Sequence, residues 1–275
     1  MKSFSNTYIF IFSAVMVIIV ATLLSFVAMQ LKPRQELNVK TEKMQNILKS
    51  VRIESTKKNA EDLYGKYVTD SYVIDPSAEV LEGVAPLEVD LKKEVSKIDK
   101  IQNLRASLQE KRESPFKTFL SGIIQFKRVD RSQIQQRIQE VASRRKLPVY
   151  EVEKETETFY VIPLQGKGLW GPISGFVSLE DDMNTVYGAV FDHKSETPGL
   201  GAEITEDWFE DDFVGKKLFE DGEFRSIDVI KGGTPEDNPH GVDAISGGTI
   251  TSKGVEAMLH DGMAGYITFF KNKRN

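Results

Sequence analysis

The 275-residue sequence contains no cysteine. This absence excludes disulfides, thiolate metal ligands, a cysteine nucleophile and iron–sulfur clusters held by the chain itself. Histidine is scarce, and His193, His240 and His260 lack the spacing of a zinc site. No serine stands in a G-x-S-x-G motif, so an acyl hydrolase has no positive support. We therefore expect neither a metal centre nor a catalytic residue in this chain.

Charge is low overall and unevenly placed. The formal net charge is −5, but residues 92–146 hold 15 Lys and Arg against 6 Asp and Glu. An acidic body with one basic segment is not typical of a nucleic-acid-binding protein, whose basic face would dominate. The segment reads as two polar helical pieces, broken around Ser114, Pro115 and Gly122. We interpret it either as a solvated insertion or as a surface that faces a membrane or a partner.

Residues 8–29 form one long run without a charge. As a helix this run would span about 33 Å, close to the thickness of the hydrocarbon core of a bilayer. It is longer than the h-region of a signal peptide, and no clear A-x-A cleavage site follows it. We therefore predict a transmembrane anchor within residues 1–34. By charge alone, the basic residues that follow it would keep the rest of the chain in the cytoplasm; these are Lys32, Arg34, Lys40 and Lys43.

The remainder divides into two parts by pattern. Residues 35–150 read as a helical stalk up to about residue 60, then short strands or loops, then the basic insertion. Residues 151–275 predict an α+β domain with an antiparallel sheet and flanking helices. The predicted strands are TFYVIPL, ISGFVSL, TVYGAVF and a fourth, FRSIDVI, and helices are predicted over residues 204–218 and 252–270. The second helix carries one apolar stripe: Val255, Met258, Leu259, Met263, Tyr266, Phe269 and Phe270.

The stretch GKGLWG, residues 166–171, matches the dinucleotide-binding pattern G-x-G-x-x-G. That pattern needs a helix to open at its end, so that the pyrophosphate meets helix N–H groups. Here Pro172 and a second predicted strand follow, so we interpret the stretch as a hairpin turn. Trp170 in this turn either stacks on a flat ligand or serves packing.

The stretch DAISGGTITSKGVEAML, residues 243–259, is a candidate phosphate site. Gly247 and Gly248 allow the backbone to approach a ligand closely. Thr251 or Ser252 can cap the following helix, whose first N–H groups favour an anion. Asp243 can fix the turn by accepting hydrogen bonds from backbone N–H groups. These features alone predict either an anion-binding helix start or simply a well-capped helix.

A second stretch, HKSETPGLGAEI at residues 193–204, follows the third predicted strand. Its Pro-Gly-Leu-Gly loop places the single apolar side chain of Leu200 between backbone stretches that can lie flat against a ring. The alternative is an ordinary tight connection into the next helix.

The two stretches together resemble the FMN-binding domain family. SGGTITS is similar to its flavinylation motif S-G-A-T-x-T-S, with Gly248 in place of the alanine, and HKSETPGLGAEI is similar to its H-x-x-T-P-G-L-G element. The single anchor and LWGPISGFVSL favour the branch found in sodium-translocating NADH:quinone oxidoreductases. The alternatives are the G-type subunit of the related Rnf electron-transport complex and, from another class, an extracytoplasmic domain that binds a phosphorylated ligand non-covalently.

The resemblance implies FMN joined by a phosphodiester to Thr249. Thr251 is the second candidate acceptor and otherwise bonds the phosphate or caps the helix. A separate flavin transferase makes the bond from FAD in such proteins, and Asp243 and Ser246 belong to the pattern that it reads. The missing methyl group at Gly248 loosens the turn slightly without removing a reacting group.

The resemblance also implies the surroundings of the cofactor and the place of the chain. Lys253 offsets the phosphate charge, and Leu200 and Trp170 contact the ring. The implied partners are the other subunits of the complex, with no nucleic acid, and the implied place is the bacterial inner membrane with the flavin domain on the periplasmic side. The chain would relay single electrons. The remaining implied flavin contacts are Gly199, Gly201, Gly247, Glu196 and Thr197.

Overall fold

The computed structural model describes residues 5–110, 131–235 and 237–274. It begins with one continuous helix of 45 residues, α1 (Asn6–Ser50), whose first turn is capped by the hydroxyl of Ser5 accepting from Tyr8 N–H. This helix is long and apolar enough to cross a membrane by length and composition, and its apolar part is exposed. Pro33 lies within the helix without ending it.

The stalk helix ends earlier than the sequence predicts. It stops at Ser50, Arg52 takes a positive φ of 58°, and the next helix, α2 (Ala60–Tyr67), begins after a loop. The predicted continuity to residue 60 is wrong because the chain turns at Arg52, where Arg52 N–H donates to Lys49 O at 2.8 Å and Ile53 N–H donates to Leu48 O at 2.9 Å, as in a Schellman motif. The apolar spacing does mark a packing face, because Met44, Ile47 and Leu48 in the last turns of α1 are buried, and so is Val51 directly after it.

The core of the domain is a five-stranded sheet in the order β1-β2-β3-β4-β5, and every neighbouring pair is antiparallel. This confirms the predicted α+β class, the antiparallel sheet and the first three predicted strands. Of the two other strands, one lies in the stretch predicted as short strands or loops, and the other begins before residue 151, so part of residues 35–150 completes the sheet. The strands are β1 (Val68–Ile74), β2 (Leu147–Lys154), β3 (Glu157–Lys167), β4 (Pro172–Leu179) and β5 (Val186–His193).

Both faces of the sheet are covered. The end of α1 and α2 cover one face, where Ile47 and Val51 pack with Tyr150, Phe159 and Phe176. The carboxyl-terminal helices cover the other. In the basic segment, α3 (Leu91–Glu110) and α4 (Arg131–Ser143) confirm two helical pieces, and the predicted break between them lies outside the described residues.

Two other predicted elements form only in part. The fourth strand is split: β6 (Phe219–Glu220) pairs with β7 (Glu223–Phe224), while β8 (Asp228–Ile230) pairs with β9 (Gly241–Asp243), because Ser226 takes a positive φ of 70° between them.

The helix predicted over residues 204–218 reduces to a 3₁₀ turn, Gly201–Thr205, and the short α5 (Asp207–Asp211). The chain here turns to cover the outer edge of β5, where Val186 N–H donates to Lys216 O at 2.9 Å. That pairing replaces the helical hydrogen bonds that the apolar periodicity predicted.

The last helical segment carries the candidate site at its start. It consists of α6 (Thr249–Met263), a 3₁₀ turn (Ala264–Tyr266) and α7 (Ile267–Arg274). All seven residues of the predicted apolar stripe are buried, which confirms it. Glycines bring α6 close to β3: a Cβ at Gly166 would lie 2.7 Å from Met258 Cβ, and one at Gly254 would overlap Lys167 O. The start of α6 is thereby held beside the end of β3.

Candidate functional site

Three loops meet at the start of α6. They are the β3–β4 turn (residues 168–171), the loop after β5 (residues 193–201) and the segment leading into α6 (residues 245–251). A Cβ at Gly248 would lie 3.3 Å from Gly201 N, and one at Gly201 would lie 2.7 Å from Glu196 Oε2. The structure therefore brings together the two stretches that the sequence singled out, and adds the turn that carries Trp170.

The β3–β4 turn is a hairpin, as predicted. Gly168 N–H donates to Gly171 O at 2.8 Å, and β4 begins at the next residue. The turn is tied to the loop after β5, because Ser195 Oγ donates to Trp170 O at 3.2 Å. The Trp170 residue as a whole is 67% exposed, so its ring is free to meet a ligand.

The loop after β5 has the shape that its glycines and proline predict. Gly199 takes a positive φ of 72°, and Leu200 N–H and Ala202 N–H both donate to Thr197 O at 3.1 Å. Thr197 and Leu200 are exposed, and Gly201 is buried. Gly247, with a φ of 74°, approaches Leu200 so closely that a Cβ there would lie 2.5 Å from Leu200 Cδ2.

The helix start differs from the expectation in its cap. Gly248 is the N-cap, and Ser252 N–H donates the first helical hydrogen bond to its carbonyl at 2.9 Å. Thr251 and Ser252 are therefore inside the helix and do not cap it. Both are buried: Ser252 Oγ accepts Ile245 N–H at 3.1 Å, and Thr251 Oγ1 donates to Glu196 Oε2 at 2.6 Å.

Thr249 has the opposite environment. It is the first residue of α6 and is exposed, as are Ser246 and Ile250, which is 58% exposed. The N–H groups of residues 249–251 precede the first helical hydrogen bond, so they have no acceptor within the helix and lie with Thr249 at the positive end of its dipole. A phosphoryl group on that hydroxyl would lie at a helix N-terminus.

Asp243 and Lys253 lie to one side of this surface. Asp243 Oδ1 accepts Thr234 N–H at 2.6 Å, so it fixes a neighbouring loop and not the Gly247 turn, which corrects the predicted role. Lys253 Nζ lies 2.8 Å from both carboxylate oxygens of Glu256, and its side chain is 58% exposed. The family resemblance assigned the charge of Lys253 to a phosphate, but in the structure Lys253 already forms an ion pair with Glu256.

Glu196 is placed differently from an open ligand contact. It is only 5% exposed, and its carboxylate bonds Trp170 N–H at 2.9 Å as well as the Thr251 hydroxyl. Burial raises the pKa of this carboxyl, but hydrogen bonds from Thr251 and from the backbone of the β3–β4 turn outweigh it and leave the pKa lowered. Glu196 is therefore an ionised group inside the site.

Sequence reasoning missed two exposed apolar side chains of the site. Leu169 is 47% exposed beside Trp170, and Ile250 stands next to Thr249. The sequence carried a signal for Ile250, since it falls outside the apolar stripe of α6. With Trp170 and Leu200 they are the large exposed apolar side chains of the three loops, and we call these four residues the apolar rim. Within the described residues there is no group of three His, Asp or Glu able to hold a metal ion.

A large cleft of about 1370 Å³ lies next to the site, between α1 and the edge of the sheet. Pro172, His193 and Lys194 line it, and these residues flank the β3–β4 turn and the loop after β5. Thr249 does not line this cleft and is exposed, so its surroundings form an open surface next to the cleft.

Comparison with known proteins identifies the same region. The FMN-binding domain family matches residues 168–264, which contain all three loops. The NqrC subunit of the Na(+)-translocating NADH-quinone reductase of Vibrio alginolyticus is 45% identical over 109 residues, 39% of this chain. That match spans 43% of the Vibrio protein, less than half of its length. The corresponding subunit of Haemophilus ducreyi is 30% identical over 261 residues, covering 92% of this chain and 90% of the relative.

Solved structures agree with the sequence relatives. The crystal structure of the corresponding Na(+)-translocating NADH-quinone reductase subunit from Parabacteroides distasonis has a TM-score of 0.66 and 32% identity, covering 87% of this chain and 96% of that one. The structure of NqrC from Shewanella oneidensis has a TM-score of 0.60 and 26% identity, covering 86% and 98%. With the fold, the FMN-binding region and a relative matched over 92% of this chain in agreement, the chain belongs to the NqrC family of Na(+)-translocating NADH-quinone reductase subunits.

Proposed function

We propose that this chain is the membrane-anchored flavoprotein subunit of a sodium-translocating NADH:quinone reductase, with FMN joined to Thr249 by a phosphodiester. The choice of Thr249 over Thr251 rests on one observation. Thr249 is exposed at the first position of α6, whereas Thr251 is buried and its hydroxyl is engaged by Glu196. Only the first of the two hydroxyls can be reached by a modifying enzyme.

The residues around Thr249 fit the two ends of FMN. Backbone N–H groups at the start of α6 suit a phosphate, which carries negative charge. The apolar rim of Leu169, Trp170, Leu200 and Ile250 suits a flat ring, and Gly199 and Gly201 keep the neighbouring backbone free of side chains. Thr197, Ser246 and Gly247 border the same surface.

In the attachment step, a separate transferase would use FAD as its co-substrate. The bond from Thr249 Oγ to phosphorus forms as the pyrophosphate bond of FAD breaks, AMP leaves, and the hydroxyl proton is released. Once bound, FMN would supply one-electron redox chemistry. The protein residues bind and orient it. This division of labour is consistent with a site of hydroxyls, N–H groups and apolar contacts.

The chain would act with other subunits of the complex, which would bind NADH and quinone. The apolar half of α1 would anchor it in the bacterial inner membrane, and the domain would lie on the periplasmic side. The basic residues after the anchor favour the opposite orientation, but that rule applies to short loops, and large domains translocate largely regardless of it.

The test is the intact mass of the denatured full-length chain after co-expression with a flavin transferase. We expect an added mass of about 438 Da, which is FMN less water, in the wild type. The addition should disappear in Thr249→Ala and persist in Thr268→Ala, which removes an exposed threonine hydroxyl in α7, away from the site. Wild-type chain without added mass, with a transferase active on another substrate, would instead support non-covalent binding of a phosphorylated ligand.

A further inference from the structure

The carboxylate of Glu196 joins all three loops of the site. Its Oε1 accepts Trp170 N–H at 2.9 Å, and its Oε2 accepts the Thr251 hydroxyl at 2.6 Å. Its own N–H donates to His193 Nδ1 at 3.1 Å, which fixes the start of the loop that carries it. One buried group therefore contacts the β3–β4 turn, the loop after β5 and the first turn of α6.

The β3–β4 turn forms a cradle for this negative charge. The backbone N–H groups of Leu169, Trp170 and Gly171 all stabilise the ionised carboxylate. Successive N–H groups in a turn make a concave anion site. An ionised carboxylate only accepts hydrogen bonds, so the Thr251 hydroxyl must donate to it and has a defined direction.

The carboxylate has no room to move. A Cβ at Gly168 would lie 2.9 Å from Glu196 Cδ, and one at Gly201 would lie 2.7 Å from Glu196 Oε2. The backbone on both sides is thus packed against the carboxyl group. A shift of this group would move either the turn with Trp170 or the helix turn with Thr251.

We propose that Glu196 is a positioning residue for flavin attachment, holding the Thr249 hydroxyl and the Trp170 turn in a fixed relation to each other. It acts through Thr251, which is two residues from Thr249 in the same helix turn. The proposal rests on the proposed function of Thr249. Because Glu196 is buried, a transferase cannot read it directly, so any effect of changing it passes through the geometry of the site.

The test uses the full-length chain with Glu196→Gln, which keeps the shape and removes the charge. We expect the initial rate of FMN incorporation to fall at least tenfold. In protein made without transferase, amide hydrogen exchange at residues 169–171 and at the start of α6 should accelerate, with the rest of the domain unchanged. Glu206→Gln, an exposed acid near the same loop, is the control and should match the wild type in both measurements.

A double-variant cycle separates positioning from general loss of structure. Thr251→Val deletes the same hydrogen bond from the other side, so it should slow incorporation and add little to Glu196→Gln. Fully additive effects, or a wild-type incorporation rate with accelerated exchange, would overturn the proposal. If Glu196→Gln does not fold, Thr251→Val alone tests the proposal. An FMN incorporation rate of Thr251→Val within about twofold of the wild-type rate would then overturn the positioning role of Glu196. Absence of FMN from the wild type would reject the proposed function, while the exchange data would still report on the Glu196 contacts.

Discussion

Lys49, near the end of the long amino-terminal helix, donates a 2.7 Å hydrogen bond to the buried carboxylate of Glu210. The other carboxylate oxygen accepts Phe191 N–H on β5 at 2.8 Å. Burial raises the pKa of Glu210, although the bonds from Lys49 and Phe191 oppose this effect. One side chain therefore joins α1 to the strand that leads into the candidate site.

We expect Lys49→Met to lower the free energy of unfolding by about 2 kcal/mol, because it leaves a buried carboxylate without its counter-charge. This is less than the ~3–5 kcal/mol for a fully buried pair, because Lys49 is partly exposed and water screens it. Asp207→Ala is the matched control, since Asp207 lies 3.5 Å from the same lysine but its side chain is 86% exposed. Equal losses in the two variants, measured by denaturant unfolding in detergent, would contradict the role of Glu210.

A second contact between α1 and β5 depends on pH. Burial, the charge of Asp192 and a hydrogen bond to Asp192 raise the pKa of Glu42, while Lys57 opposes the shift. A carboxyl whose pKa is raised on folding stabilises the fold below its ordinary value, and this contribution is lost as pH rises through the raised pKa. Packing of α1 on the sheet edge should therefore weaken from mildly acidic to neutral pH.

Glu42→Gln should remove this dependence, because an amide donates to Asp192 at every pH. The gain in stability at neutral pH should be below ~1 kcal/mol, since the Glu42 side chain is exposed. The measurement is the midpoint of thermal unfolding of the full chain as a function of pH. Glu61→Gln, at another exposed position, is the control and should keep the pH dependence of the wild type. If the unfolding midpoint of Glu42→Gln depends on pH as strongly as that of the wild type, the contact between Glu42 and Asp192 is not the cause.

The sequence predicted the parts of the fold that rest on local pattern. Alternating β-branched and aromatic residues marked β3, β4 and β5, and the 3.6-residue stripe marked α6 and α7. It did not predict β2, whose Pro148 and charged carboxyl-terminal half hide a strand that pairs on both sides. It also failed at residues 204–218, where pairing with the edge of β5 overrides helical periodicity.

In the candidate site, too, the sequence predicted what local stretches encode and did not predict contacts between distant stretches. Motif resemblance located Thr249 and the Pro-Gly-Leu-Gly loop, because both depend on short stretches of sequence. The burial of Glu196 depends on two loops that are distant from it in the chain, and no local pattern encodes that contact. The same holds for Asp243, whose carboxylate serves a loop that the sequence did not connect with it.

The family motif carries an alanine at the position of Gly248, and in this structure an alanine side chain would be crowded there. A Cβ at Gly248 would lie 2.9 Å from Ile245 Cγ2, closer than side chains normally pack. We expect Gly248→Ala to lower the free energy of unfolding by about 1 kcal/mol through this overlap, while FMN attachment to Thr249 continues. Gly65→Ala is the control: nothing lies within 4 Å of a Cβ in the helix α2, so stability should hold or rise. A more stable Gly248→Ala would mean that Ile245 yields freely.

The absence of cysteine makes the orientation of the chain directly measurable. Lys231→Cys would introduce the single thiol of the chain at an exposed position of the domain, and Ser3→Cys would place it before the anchor. If the domain is periplasmic, a membrane-impermeant maleimide should label Lys231→Cys in intact cells and label Ser3→Cys only after lysis. The reverse pattern would establish that the basic residues after the anchor, from Lys32 to Lys43, decide the topology. Labelling of both thiols in intact cells would show that the membrane is leaky, because cleavage of the anchor would leave Ser3→Cys on the cytoplasmic side.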